Sequence, residues 1–293
     1  MTLLALLIEK TKMSKMIILR GLPASGKTTT SLQIIKKTGN TFRVNKDSLR
    51  TMLHGDVFSG KNESVTYKIS RLIAKELLLG NKNTLIDDCN LNPKTMQSWK
   101  DLARELGVKC EVIDIDTPWQ ECVLRDKARE KMVGATVIKN MALQYGMFDG
   151  GKYVLCDIDG TIADCKHRQH FIRDGNRDWK GFFSEMGKDT VRKDVQKILI
   201  DLYNEMYTIL FVSARPEEYR DITLQWLEQN NLSFAFTILM RGTGDSREDS
   251  IVKKEILDRY FPDKSKIHAV IDDRPRVIKM WRDEGLNVID VGD

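Results

Sequence analysis

The chain has 293 residues, 41% hydrophobic and 30% charged, with 47 lysines and arginines against 42 aspartates and glutamates for a net charge of +5. That balance excludes a disordered or fibrous chain, and at about 150 residues per domain the length points to two domains. The mild basicity favours a polyanionic partner, while five cysteines, odd in number and without a CxxC pair, argue against a disulfide framework or zinc site and fit a reducing cytosol.

In chain order, the opening MTLLALLIEK is apolar over too few residues to span a bilayer and lacks the basic start and cleavage site of a secretory signal. Residues 1–12 therefore read as an extension ahead of a compact domain that begins at Met13. Strands are predicted at 16–20 (MIILR), 41–45 (TFRVN), 83–87 (NTLID) and 109–115 (KCEVIDI), with helices after Gly26, near 64–79 and near 93–106. This βαβα rhythm predicts a parallel sheet covered by helices. A basic helical stretch follows Pro118, and the three glycines of QYGMFDGG (144–151) mark a junction between domains 13–148 and 151–293. The second half repeats the rhythm, with strands at 153–159, 207–213, 234–240 and 266–273 and helices near 190–205, 215–230, 247–260 and 274–284. The expected class is α/β, with two doubly wound parallel-sheet domains.

GLPASGKT (21–28) satisfies G-x4-G-K-[ST] directly after a strand and at the start of a helix. Glycines at 21 and 26 let successive N–H groups and the helix amino terminus face phosphates, with Ser25 and Thr29 beside them. Lys27 would bridge the β and γ phosphates of a bound nucleotide such as ATP, and Thr28 would hold its magnesium ion. The acceptor side of such a site is sought at the neighbouring strand ends. VNKDSLR offers Asp47 as a general base and Arg50, one turn on, for an acceptor phosphate; the alternative makes Asp47 the N-cap of the next helix. DDCNLNP adds Asp87 and Asp88, of which Asp88 is the candidate for function. Arg125 and Arg129, four apart on the basic helical stretch, share a face and either cover a departing γ-phosphate or are simply solvated.

DIDGT (157–161) ends the apolar run YVLC with two acids two residues apart, which share a face on an extended backbone. One carboxylate, Asp157, can attack phosphorus to give an acyl phosphate, while the other, Asp159, protonates the leaving group and then activates water. A hydroxyl, a cation and a metal site must follow, and Ser213, Lys253 and the pair Asp272 and Asp273 supply them in order. His167 and His170 lack a third ligand nearby and read as surface residues. Trp179, Phe182 and Phe183 in the insert after DIDGT read either as core or as a stacking surface for bases.

These motifs, in the order GLPASGKT, VNKDSLR, DCNLNP, TPWQECVLR, DIDGT, VSARP, GDSREDSIVKKEI and IDDRPRVIKMW, resemble the bifunctional polynucleotide 5′-kinase/3′-phosphatases of T-even-type phages from about Met13 to the carboxyl end. The resemblance implies a P-loop kinase fused to a haloacid dehalogenase-type phosphatase that acts on RNA or DNA ends. It implies Gly21, Ser25, Gly26, Lys27, Thr28, Thr29 and Arg125 at ATP, with Asp47 and Arg129 catalytic and Arg50 and Asp88 at the acceptor. It further implies Asp157 as nucleophile, Asp159 as acid/base, and Ser213, Arg215 and Lys253 on the phosphate. Magnesium would lie at Thr28 in one site and at Asp157, Asp159, Asp272 and Asp273 in the other. A polynucleotide ligase as functional partner, a homotetramer, no membrane association and a cytoplasmic location, in an infected host cell if the chain is phage-encoded, complete the expectation. The lid region REKMVGATVIKN and the insert after DIDGT depart from the family. The rivals are a metabolite kinase fused to a small-molecule phosphatase, and a nucleotide-dependent regulator with one silent site.

Overall fold

The computed structural model describes residues 14–57, 59–148, 151–173 and 175–292, so the expected extension 1–12 and Met13 lie outside the described residues. Two compact units divide between Ile138 and Lys139. This division precedes the glycine break at 144–151, because Leu143 joins the apolar core of the second unit and Phe148 stacks on Phe236 at 3.8 Å.

The first unit holds strands β1 (Lys15–Arg20), β2 (Thr41–Val44), β3 (Asn83–Asp87) and β4 (Lys109–Asp114), all parallel in the order β2-β3-β1-β4. Its helices are α1 (Lys27–Thr38), α2 (Lys46–His54), α3 (Gly60–Leu79), α4 (Pro93–Glu105) and α5 (Trp119–Lys127), and α6 (Ala135–Gln144) crosses into the second unit. Side chains alternate across a strand. Met16, Ile18 and Ile86 accordingly pack with Trp99 on one face, and Ile17, Leu19 and Leu85 pack with Ile34 on the other. A sheet buried on both faces needs continuous apolar strands, which is why MIILR was legible as β1.

The second unit holds β5 (Tyr153–Cys156), β8 (Thr208–Pro216), β9 (Thr237–Arg241), β10 (Ile267–Asp272) and β11 (Val288–Asp290) in one parallel sheet of order β11-β10-β5-β8-β9. A separate antiparallel pair, β6 (Ala163–Asp164) and β7 (Thr190–Val191), brackets the insert that carries α7 (Trp179–Ser184). Helices α8 (Lys193–Asn204), α9 (Arg220–Gln229), α10 (Asp249–Tyr260) and α11 (Pro275–Asp283) complete the unit. Both sheets are α/β, as the periodicity implies. Arg215, expected at a helix start, instead lies on β8, because Pro216 holds the residue before it in an extended conformation. DIDGT is a turn rather than an extended segment, with Thr161 N–H and Ala163 N–H both donating to Ile158 O at 3.2 and 2.9 Å. Among the described residues no helix is long and apolar enough to cross a membrane.

Trp99 is fully buried and is the largest side chain of its cluster, so Trp99→Ala should destabilise the first unit by about 3–5 kcal/mol. Urea unfolding followed by circular dichroism checks this; a loss below about 1 kcal/mol would contradict the packing described.

Candidate active sites

The first site grows from the end of β1. A Cβ at position 21 would stand 2.8 Å from Ile115 O, and Gly26 has φ +104°, so both positions demand glycine. The loop closes around its own lysine: Lys27 Nζ donates to Gly21 O at 3.1 Å, Leu22 O at 2.5 Å and Ser25 Oγ at 3.4 Å. For Lys27 to grip a phosphate, its ammonium would have to exchange these acceptors for phosphoryl oxygens. Thr28 and Thr29 open the following helix and are exposed.

Asn45 is the N-cap of α2, its Oδ1 accepting from Ser48 N–H at 2.9 Å, which removes the capping role weighed for Asp47. Asp47 lies inside the first turn with a largely exposed carboxylate. Arg50 Nη1 donates to it at 2.7 Å, while Glu63 on α3 takes Arg50 bidentately at 2.5 and 3.0 Å. Glu63 had no sequence signal, since a partner 13 residues away on another helix is invisible to spacing. The two acids of DDCNLNP separate in role. Asp87 is structural, accepting from Ser31 Oγ at 3.1 Å and Arg43 Nε at 2.6 Å and so tying α1 and β2 to β3. Asp88 Oδ1 accepts Lys46 N–H at 3.0 Å at the start of α2, whereas its Oδ2 is buried with no hydrogen-bond partner. Burial, only partly offset by Lys46, pushes Asp88 up to about 6.

Arg125 and Arg129 do not share a helix face. Helix α5 ends at Lys127 and the chain turns, with Arg129 N–H donating to Asp126 O at 3.0 Å. Arg125 reaches the phosphate loop, its Nη1 3.3 Å from Ser25 O, while Arg129 Nη1 pairs with Asp126 Oδ1 at 3.3 Å. The buried Asp126 also accepts Val133 N–H and Gly134 N–H at 3.0 and 2.8 Å, and thereby shapes the segment expected to act as a lid.

The second site lies beyond the ends of β5 and β10. Asp157 follows β5, held by its N–H to Ile271 O at 3.0 Å. Lys253 of α10, almost fully buried, sits 2.8 Å from both Asp157 Oδ1 and Asp272 Oδ2. Trp281 Nε1 donates to Asp272 Oδ2 at 3.1 Å, and Thr161 Oγ1 donates to Asp273 Oδ1 at 2.7 Å. Ligand atoms of Asp157, Asp272 and Asp273 lie within 4.8 Å of one another. Three carboxylates against one ammonium leave two negative charges uncompensated, so the residues fit a divalent cation with oxygen ligands. Burial, only partly offset by Lys253 and reinforced by Asp272 and Asp273, pushes Asp157 up to about 7.

Asp159, expected beside the metal, stands outside this trio. Its carboxylate is taken by Arg215, with Nη2 at 2.6 Å, and by Arg168 Nη2, and both arginines are also anchored by the buried Asp189. Burial would raise Asp159, but Arg215 and Arg168 outweigh it and hold the carboxyl below the usual range. Ser213 closes on the same strand, its Oγ accepting Arg215 N–H at 3.2 Å. Arg168 and Asp189 went unread in the sequence, because a guanidinium between two acids 30 residues apart follows no spacing rule. His167 sits 3.0 Å from Asp189 Oδ1, which draws it into this network, and His170 Nδ1 is 3.0 Å from His167 O.

A P-loop sequence at the end of one parallel sheet and a buried lysine between two aspartates at the end of the other define the class: a P-loop kinase-type domain followed by a haloacid dehalogenase-type domain. Residues 151–293 match the family described as the polynucleotide kinase PNKP phosphatase domain, and residues 16–146 match the AAA domain family. The chain is 24% identical over 310 aligned positions to a protein of Autographa californica nuclear polyhedrosis virus described as a bifunctional polynucleotide kinase/RNA ligase; the match takes in 96% of this chain and 42% of that one, less than half of the relative's length. It is also similar to a chain of the solved Pnkp1/Rnl/Hen1 RNA repair complex, at 27% identity over 96% of this chain and 97% of the other, with TM-score 0.43. The APS kinase CysC of Mycobacterium tuberculosis aligns with 39% of this chain and 68% of its own at 21% identity and TM-score 0.34. The family match over residues 151–293 and the viral polynucleotide kinase relative, whose match takes in 96% of this chain, agree with the resemblance read from the motifs; the phage attribution finds no support in these relatives.

Two consequences are measurable. A Cβ at Gly160, whose φ is +86°, would lie 2.2 Å from Asp273 Oδ2, so Gly160→Ala should lower phosphatase turnover at least about a hundredfold and spare phosphoryl transfer at the first site. Because folded Asp88 binds its proton more tightly than unfolded aspartate, its own contribution to stability should fall as pH rises from about 4 to about 6, by on the order of 2–3 kcal/mol. Asp88→Asn should flatten that slope in urea unfolding series; an unchanged slope would contradict the burial argument.

Proposed function

We propose that this chain heals broken polynucleotide ends. The first site transfers the γ-phosphate of ATP to a 5′-hydroxyl, and the second removes a 3′-phosphate, including one produced by opening a 2′,3′-cyclic phosphate. The observation that carries this reading is the buried Lys253 joining Asp157 to Asp272 inside a region matching a polynucleotide kinase phosphatase domain.

At the first site, Asp47 takes the proton of the 5′-hydroxyl, whose oxygen then attacks the γ-phosphorus as the bond to ADP breaks. Lys27, Arg125 and Arg129 offset the charge that gathers on the transferred group. Asp88 acts through the backbone of Lys46, fixing the start of the helix that presents Asp47 and Arg50. Thr28 would hold the magnesium ion that accompanies the nucleotide.

At the second site, Asp157 attacks the phosphorus of the 3′-phosphate, forming an acyl phosphate and releasing the 3′-oxygen, which takes a proton from Asp159. Water then attacks the same phosphorus, Asp159 takes the water's proton, and inorganic phosphate leaves with Asp157 regenerated. Two guanidiniums hold Asp159 ionised, so its turn as an acid requires the substrate phosphate to draw at least Arg215 away from it. Magnesium held by Asp157, Asp272 and Asp273 would supply charge neutralisation for the approaching phosphate. A ligase is the natural partner, since the healed 5′-phosphate and 3′-hydroxyl ends are its substrates; in the viral relative the description pairs kinase with RNA ligase.

An oligonucleotide carrying a 5′-hydroxyl and a 3′-phosphate tests the reading with each terminus followed separately. Lys27→Ala should abolish 5′ phosphorylation and spare 3′ release, and Asp157→Asn should do the reverse. Loss of both activities in either variant, or label entering a small metabolite and never the oligonucleotide, would contradict it.

A further inference from the structure

Helix α7 carries aromatic residues that the chemistry above leaves unused, and they are rooted in the phosphatase site. Arg168, which grips Asp159, places its guanidinium carbon 4.1 Å from the centroid of the Phe182 ring and donates from Nη1 to Phe182 O at 3.2 Å. Phe182 is buried and meets Phe183 edge-on at 5.3 Å. From Phe183 the rings run outward, to Trp179 at 6.1 Å and 26° between planes, and to Tyr219 at 5.2 Å and 34°. Tyr219 stands four residues beyond Arg215, the other guanidinium on Asp159. Trp179 is 52% exposed, and Phe183 and Tyr219 are half-buried.

Local geometry holds this arrangement in place. Asp178 caps α7 through Gly181 N–H at 2.8 Å, and a Cβ at Gly181 would stand 2.6 Å from the Phe171 ring, so the helix lies tightly on the insert beneath it. The same insert exposes Arg173, Arg177, Lys180 and Lys188. Half-exposed rings with cations beside them match a nucleic acid strand, whose bases offer flat faces and whose backbone offers charge, better than they match a protein partner.

We infer that Trp179, Phe183 and Tyr219 form a stacking platform for the bases nearest the 3′-phosphate of a single-stranded end. This rests on the 3′-phosphatase reading, and it assigns the insert to substrate binding. The phosphate enters beside Asp157 while the adjoining bases lie on the rings, and Arg173, Arg177 and Lys180 meet the backbone. Such a platform tolerates any base sequence, since every base has a face to stack.

Fluorescence anisotropy on the full chain in an Asp157→Asn background tests this with a 3′-phosphorylated oligonucleotide and its counterpart bearing abasic residues at the last two positions. Trp179→Ala should weaken binding of the normal oligonucleotide about tenfold, the abasic change should weaken it similarly, and the two together should add little. Trp179→Phe should restore most of the affinity. A change of less than about twofold in Trp179→Ala, or full additivity with the abasic ends, would overturn the platform. Phosphate release by the unmodified chain, from this oligonucleotide and from p-nitrophenyl phosphate, separates the two readings. Release without base-dependent binding sinks the platform alone; base-dependent, Trp179-dependent binding without any release sinks the phosphatase reading and leaves the platform standing.

Discussion

Lys253 is the interaction on which the second half of the molecule depends. A lysine this deeply buried is tolerated only because Asp157 and Asp272 each sit 2.8 Å from its ammonium, and together they raise its pKa against the effect of burial. The dependence is mutual, since removing the ammonium would leave carboxylates stranded in a dry interior. The chain around it is arranged to hold α10 in register. Arg241, at the end of β9, donates to Asp249 Oδ1 at 2.6 Å and to Ala214 O at 2.7 Å, tying the start of α10 to β8. Trp281 then fixes Asp272 from the opposite element.

In the function proposed, the two halves hold phosphate by different means. In the first, the backbone does it: glycines at 21 and 26 bend the loop, and a single side chain, Lys27, supplies the charge. In the second, side chains do it, with a nucleophile and acids that must be kept at unequal charge although they are close. Burial, with Asp272 and Asp273 adding to it, pushes Asp157 up while Asp159 is held down by two guanidiniums, so neighbouring carboxylates in one turn take opposite electrostatic characters. Both sites stand at the carboxyl ends of parallel strands, where such folds leave room for ligands.

What the sequence revealed, and what it concealed, follows from the range of the interactions. MIILR, NTLID and KIHAVIDD announce buried strands because both faces of a parallel sheet are apolar, and GLPASGKT and DIDGT announce their sites because their chemistry is local. Arg168, Asp189, Glu63 and Asp126 were silent, since each acts on a partner brought close only by the fold. The start of helix α2 was misplaced because its cap, Asn45, ends a strand-like run, and β11 was missed because three residues show no periodicity. Arg129 was set on a helix that stops two residues earlier. Asp159 was placed at the metal by the family resemblance, whereas the arginines that claim it lie 9 and 56 residues away and give no local signal.

The central claim is that Asp157 becomes covalently phosphorylated while Lys253 and its neighbouring acids organise the transfer. Acid quenching of the enzyme during turnover of an oligonucleotide bearing a radiolabelled 3′-phosphate, followed by peptide mapping, addresses it directly. The account predicts label on the peptide containing Asp157, lost on treatment with hydroxylamine; steady phosphate release with no protein-bound label at any quench time would contradict it.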